Sequence, residues 1–192
     1  MMRSILVGIL VLMAIGVGWL TFDWYRKQNS GEPYGAPFTL VDQKGKEITE
    51  AAFRGHPSAL FFGFTHCPEV CPTTLFELDG WLKAMGDEGK DIRAYFVSVD
   101  PERDTPEVMD LYVSNVSDRI TGITGDPAKV AAMVKSFGIF SRKVELEGGD
   151  YTMDHTASIL LLDEGGDFFG TIAYEENPET ALAKLKRLAT GN

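Results

Sequence analysis

Cys67 and Cys71 are the only cysteines of the chain, and three residues separate them in the stretch Phe61-Phe-Gly-Phe-Thr-His-Cys67-Pro-Glu-Val-Cys71-Pro72. Such a pair can be a structural disulfide, a dithiol redox couple or two ligands of a soft metal ion. A bridge closing so short a loop stabilises by only about 2 kcal/mol in the loop-entropy picture. A chain of 192 residues can build its core without that contribution. Redox and metal chemistry stand level on spacing alone. Both need thiolate, and a helix N-terminus beside the sulfurs would favour it.

The three histidines bear on that choice. His56 precedes Pro57 in a loop and is expected to be a solvent-exposed residue without a role. His66 adjoins Cys67, but in an extended segment its side chain points to the opposite face. His155 follows a polar stretch and stands at the mouth of the penultimate strand. In the arrangement derived below, that position faces the cysteine loop.

The elements around the cysteines explain how they would be presented. Ala59 to Phe64 is a short apolar run of strand length, and Leu75, Leu78, Leu82 and Met85 recur at helical spacing. The cysteines therefore occupy a strand-to-helix loop. Each precedes a proline, so both are expected to have extended backbones, with Pro72 at the first helical position. Ile92 to Val99 reads as a strand buried on both faces. Strand, helix and strand over this length make a parallel βαβ unit.

Upstream, Phe38–Val41 and Glu47–Thr49 flank Asp42-Gln-Lys-Gly45 as a hairpin. Downstream, Ile120 to Thr124 is a further strand. Thr105-Pro106, Asp126-Pro127 and Asn177-Pro178 each place a capping residue before a proline, the signal of a helix start. The cluster Asp100, Glu102, Arg103 and Asp104 follows a buried strand at the edge where α/β proteins commonly bind ligands and reads either as a partner-docking surface or, the favoured reading, as a cap for the helix at Thr105-Pro106. Val130, Met133, Val134 and Phe137 form one apolar stripe, with Gly138 as the C-terminal cap. Ser141 to Asp154 is polar and reads as a long surface loop, one that would order when a metal binds at His155. Thr156–Leu162 and Phe168–Tyr174 flank Asp163-Glu-Gly-Gly-Asp167 as a second hairpin. The order implies an α/β domain with a mixed central sheet, flanking helices, an N-terminal hairpin and an inserted strand and helix. A cysteine pair at the first βα junction and an antiparallel ββα ending make it thioredoxin-like.

The formal charge is −10, with acidic and basic residues interspersed and no basic patch, which excludes nucleic-acid binding as the chain's function. Ser4 to Phe22 holds 19 residues without a charge, which as a helix would span about 28 Å, near the thickness of a bilayer's hydrocarbon core. Trp19, Phe22, Trp24 and Tyr25 crowd its end like an interfacial belt, and no small-residue cleavage site follows. The expected organisation is thus a single-pass N-terminal anchor over residues 1–22, a Gly/Pro-containing linker over 23–37 and a thioredoxin-like domain over 38–192.

Four segments together resemble one protein family. Phe62-Gly-Phe-Thr-His-Cys67-Pro-Glu-Val-Cys71-Pro-Thr-Thr-Leu75, Val97-Ser-Val-Asp100-Pro-Glu-Arg-Asp104-Thr-Pro-Glu107, Thr124-Gly-Asp126-Pro127 and Asp154-His155-Thr-Ala157 closely resemble the Sco/SenC copper-binding proteins of cytochrome c oxidase assembly. The resemblance runs from about Pro37 to the C-terminus. It implies that Cys67, Cys71 and His155 ligate copper, with no departure at those positions. It also implies delivery to the dinuclear copper centre of oxidase subunit II, with loading by another copper chaperone. The domain is then expected on the periplasmic side of the cell inner membrane. Two thiolates and an imidazole suit Cu(I), and with an added ligand Cu(II). Zinc accepts the same atoms but usually takes four protein ligands in a structural site. The alternative is a thiol-disulfide oxidoreductase in which Cys67 and Cys71 are catalytic and reduce the recipient's cysteines. A peroxiredoxin-like peroxidase fits less well, because the second cysteine lies only four positions on.

Overall fold

The computed structural model describes residue 13, residues 16–22 and residues 34–191. The chain divides into two compact units, Met1–Glu32 and Pro33–Asn192. In the first, residues 16–22 are helical. Among the described residues no helix is long and apolar enough to cross a membrane. Most of the expected span Ser4–Phe22, and residues 23–33 of the expected linker, lie outside the described residues.

The second unit is built on a seven-stranded mixed sheet. Its strands are β1 (Thr39–Asp42), β2 (Glu47–Thr49), β3 (Ser58–Gly63), β4 (Arg93–Ser98), β5 (Ile120–Thr124), β8 (Ile159–Leu162) and β9 (Phe168–Ile172), in the spatial order β2-β1-β5-β4-β3-β8-β9. β3, β4 and β5 run parallel, while β8 pairs antiparallel with β3 in the register Ser58↔Leu162 to Phe61↔Ile159. Every residue of β3 and β8 is buried, as a central position requires. Phe61, Phe62, Phe96, Leu160 and Leu161 form the middle of the core. Each such side chain contributes roughly 1.5–3 kcal/mol when fully removed from water. The helices α1 (Val70–Ala84), α2 (Pro106–Val116), α3 (Pro127–Ser136) and α4 (Pro178–Thr190) flank the sheet.

The proline-marked starts form as the sequence predicts. Thr105 accepts the Val108 N–H, Asp126 accepts from Ala128 and Lys129, and Asn177 accepts from Glu179 and Thr180. Pro then fills the first helical position in all three. The stripe Val130, Met133, Val134 and Phe137 is buried, and Gly138 adopts φ 64° just past α3.

Two expectations are corrected. The segment from Ser141 to Asp154 is not a loop but most of a β-ribbon, β6 (Ser141–Glu145) paired with β7 (Tyr151–His155), which forms a sheet of its own. His155 therefore closes β7 and does not stand on the penultimate strand of the main sheet. Neither face of the ribbon is fully buried, so the alternation of apolar and polar residues that betrays a strand is missing. Cys71 is also not extended: α1 begins at Val70, so Cys71 is already helical and Pro72 follows it within the first turn. The first helical N–H groups lack intrahelical partners in any case, so a proline there removes no bond. Burial of the Cys71 side chain against Gly63 outweighs the preference of a residue before proline for extended backbone.

Candidate metal centre

β3 delivers the chain to the sheet edge at Gly63, and the residues between it and α1 form a short connection closed by a bond from the Cys67 N–H to the Phe64 carbonyl at 3.2 Å. Cys67 is almost buried, with 9% of its surface exposed, and Cys71 is fully buried. The Cys71 N–H, one of the unpaired donors of the α1 N-terminus, points at Cys67 Sγ at 3.3 Å. Both thiols are free.

The two sulfurs titrate in opposite directions. The hydrogen bond donated by the Cys71 thiol is the largest influence on Cys67; bonds with His155 and with the backbone of Cys71 and Glu69 add to it. Together they outweigh burial and bring Cys67 down to about 4. Donating that bond, and its own burial, hold the Cys71 thiol well above the ordinary range. At neutral pH the pair shares one proton, carried by Cys71, and Cys67 is the thiolate. Helix-terminus thiolate character thus falls on one sulfur of the expected two.

His155 arrives from the ribbon. Its Nε2 lies 3.6 Å from Cys71 Sγ, and its Nδ1 lies 2.9 Å from the Thr156 carbonyl oxygen. A carbonyl only accepts, so Nδ1–H is the donor there, and Nε2 is the atom turned towards the sulfurs. Phe61 and Phe64 meet the imidazole at near-right angles, with ring centroids 6.1 Å and 5.7 Å away. One donor atom from each of Cys67, Cys71 and His155 lies within 4.8 Å of the others. A metal centred among them would have two sulfurs and one nitrogen, with the imidazole half-buried and Cys67 the less buried of the two sulfurs.

The other two histidines stay away. His66 is exposed and its Nδ1 faces the Thr65 hydroxyl at 3.2 Å. His56 lies before the opposite end of β3; it is half-buried rather than exposed, and its Nδ1 is 3.2 Å from the Ser58 hydroxyl.

Several supporting residues escape the sequence reading. A Cβ on Gly63 would lie 2.7 Å from Cys71 Sγ and 2.8 Å from the Phe96 ring, so only glycine leaves room for the second sulfur. Asp104 is fully buried and accepts from the Thr65 hydroxyl and the Ser98 hydroxyl, both at 2.6 Å, and from the Thr65 N–H at 3.2 Å. Burial pushes its carboxyl upward, and the Ser98 and Thr65 donors pull partly back. Asp104 thus ties the cysteine connection to the end of β4. It does not cap α2, and neither does Asp100, which accepts from Arg103 Nε and from the Tyr151 hydroxyl. Thr105 alone supplies the cap. An aspartate directly before a Thr-Pro helix start looks the same in sequence whether it faces the helix or the sheet interior.

A profile described as SCO1/SenC matches residues 26–190. The chain belongs to the SCO1/SenC family. Among solved SCO1/SenC structures, Bradyrhizobium japonicum ScoI with copper bound is 47% identical, with TM-score 0.74, over 80% of this chain and 98% of that one. BsSco, described with a disulfide switch as a member of the Sco family of cytochrome c oxidase assembly proteins, is 25% identical with TM-score 0.63, over 84% of this chain and 96% of that one. The mitochondrial SCO1 homolog 1 of Arabidopsis thaliana is 36% identical over 135 residues, 70% of this chain. The chain spans 40% of the length of that plant relative.

Proposed function

We propose that this SCO1/SenC chain binds one copper ion through Cys67 Sγ, Cys71 Sγ and His155 Nε2 and passes it to the dinuclear copper centre of cytochrome c oxidase subunit II. The observation that carries the reading is the convergence of three soft or borderline donors, one from the β3–α1 connection, one from the first turn of α1 and one from a ribbon 84 positions after Cys71. The copper-bound ScoI relative supports the choice of metal, and the membership of BsSco among cytochrome c oxidase assembly proteins supports the destination.

Cys67 is ready to ligate without losing a proton, whereas Cys71 must release one as the metal enters. Transfer then proceeds by exchange. Incoming thiols of the recipient approach past the less buried donors, lose their protons as they bind, and take the place of the half-buried imidazole, then of Cys67. Buried Cys71 lets go last. The oxidation state of copper is unchanged, protons leave the entering thiols, and the metal is never free. Another copper chaperone would load the site by the reverse exchange. Residues 1–22 are proposed as the anchor and 23–37 as the tether of a domain held outside the cytoplasmic membrane, where the recipient centre is assembled.

The test uses the full chain in detergent, reduced and kept anaerobic. It should take up one equivalent of Cu(I), and Cys67→Ser, Cys71→Ser and His155→Ala should each abolish or greatly weaken that uptake. Full uptake by all three variants would refute the ligand set. Alkaline carbonate extraction of membranes checks the anchor: the intact chain should stay in the pellet, and a chain lacking residues 1–25 should be released.

One observation favours a second reading. A Cys67 thiolate beside a protonated Cys71 is the arrangement of a dithiol reductant. Cys67 would attack a disulfide of the recipient, and Cys71, on losing its proton, would release the recipient as a dithiol and leave a Cys67–Cys71 disulfide. His155 enters that exchange only through its smaller share in lowering Cys67, not as a ligand. Full oxidase assembly by His155→Ala, with loss in Cys67→Ser, would establish the reductase reading over the carrier.

A further inference from the structure

The imidazole is carried by an element with little support of its own. β6 and β7 pair only with each other, and an isolated two-stranded ribbon is marginal in water. Met153 packs on the core and Lys143 pairs with Glu102, but the largest set of polar contacts to the rest of the domain is at Tyr151, the first residue of β7, four positions before His155. The Tyr151 hydroxyl donates to Asp100 at 2.8 Å, and its carbonyl accepts from Arg103 Nη1 at 3.0 Å. The Arg103 guanidinium lies over the Tyr151 ring, 3.7 Å from its centroid.

Arg103 is itself held by Asp100, a carboxylate only 3% exposed. Both belong to the turn that follows β4, and Asp104 in the same turn binds Thr65 beside the cysteines. Arg103 also lies 5.9 Å over the ring of Phe64, the ring that meets His155 edge-on. A path of direct contacts thus runs from the cysteine connection through the β4 turn to the ribbon and back to the imidazole. At the far side of His155, the Thr156 N–H donates to the Phe140 carbonyl at 3.0 Å. The ribbon is therefore closed by backbone at its base, where Ser141 pairs with His155, and held near its turn, where Glu145 pairs with Tyr151, by the Asp100–Arg103–Tyr151 cluster.

We infer that Asp100, Arg103 and Tyr151 form a latch that positions His155 against the two sulfurs and so sets how tightly the third ligand holds the metal. The inference rests on the proposed ligand set, and its mechanism is indirect: none of the three touches the metal. A buried ion pair adds little net stability against an apolar replacement, but removing one partner strands the other charge. Loss of Arg103 leaves Asp100 buried without its counter-ion, held only by the Tyr151 hydroxyl, and strips the Tyr151 carbonyl of its donor while only Lys143 remains over the ring. The ribbon then samples positions in which Nε2 no longer faces Cys71.

The full chain in detergent, reduced and anaerobic, is titrated with Cu(I) against bicinchoninate. Arg103→Gln should weaken binding about 10-fold to 100-fold, the range for residues that orient a ligand. Tyr151→Phe, which keeps the ring under the guanidinium, should lose less. In the double variant Arg103→Gln/His155→Ala, binding should be no weaker than in His155→Ala alone. In metal-free protein, amide exchange of Tyr151 to Thr156 should accelerate in Arg103→Gln while β3 and β4 are unchanged. Parent-like affinity for Arg103→Gln, an equal further loss in the double variant, or acceleration spread to β3 and β4 would each overturn the latch. If His155→Ala binds like the parent, the ligand set has failed instead, and the metal-free exchange still decides whether the latch holds the ribbon.

Discussion

Replacing Gly63 by alanine puts a methyl group where the structure has no space. The added Cβ would sit 2.7 Å from Cys71 Sγ and 2.8 Å from a ring carbon of Phe96. Favourable contacts of this kind lie at roughly 3.5–4.0 Å, so each neighbour must retreat by about 1 Å. Neither can do so freely: Cys71 and Phe96 are both fully buried, the first in the opening turn of α1 and the second in the middle of β4. Overpacking of a close-packed interior costs about 1–3 kcal/mol. For a domain of this size that lowers Tm by about 2–12 °C. The effect on the metal site should be larger than the effect on the fold, since a sulfur displaced by about 1 Å no longer closes a site whose ligand distances tolerate only about 0.2 Å. The assay pairs thermal unfolding of the reduced, metal-free chain with Cu(I) titration. Gly80→Ala is the control: Gly80 lies in α1 with Cys71, its Cβ would meet nothing within 4 Å, and alanine there should stabilise by roughly 0.5–1 kcal/mol with binding intact. If Gly63→Ala unfolds and binds as the parent does, the packing account of the second sulfur is wrong.

Alkylation of the reduced, metal-free chain should report a Cys67 thiolate that persists down to a pH of about 4, and a Cys67 that titrates in the ordinary thiol range would contradict the assigned hydrogen bonds. Because its folded value lies below the unfolded one, the stability contributed by Cys67 is complete above the ordinary thiol value of 9.0, declines as pH falls, and is gone below about 4. Cys71 has the opposite sign, its contribution being complete below that ordinary value and lost as pH rises beyond it. Asp104→Ala strands the Thr65 and Ser98 donors and should destabilise the domain by about 2–3 kcal/mol in denaturant titration, and an unchanged midpoint would remove Asp104 from its tethering role. Asp126→Ala deprives α3 of its cap and should lower stability by about 1 kcal/mol with Cu(I) affinity unaltered, a loss of affinity being the contrary result.

What could be read from the residues was whatever leaves a local pattern. β3, β4 and β8 are continuous apolar runs because they are buried on both faces, and three helices announce themselves because a cap and a proline sit side by side. The cysteine connection was legible for the same reason, lying between a strand and a helix that each have a period. The ribbon was not, since both its faces meet water and its register, Ser141↔His155, is set by a partner rather than by an apolar stripe. Its discovery moves His155 onto a separate sheet while leaving it where the expected fold required, near the sulfurs. The tethering by Asp104 and the contacts of Arg103 with Tyr151 join residues 39 and 48 positions apart, and no spacing rule reaches that far.

The ribbon's separateness from the main sheet has a consequence for how the three-donor site can be tuned. Two donors are rooted in the best-packed part of the domain, and the third hangs on an appendage whose loss would leave the core sheet whole. Substitutions along β6 and β7 can therefore shift the third donor relative to the two sulfurs with little effect on folding, so a lineage can retune this site without rebuilding the domain that holds it.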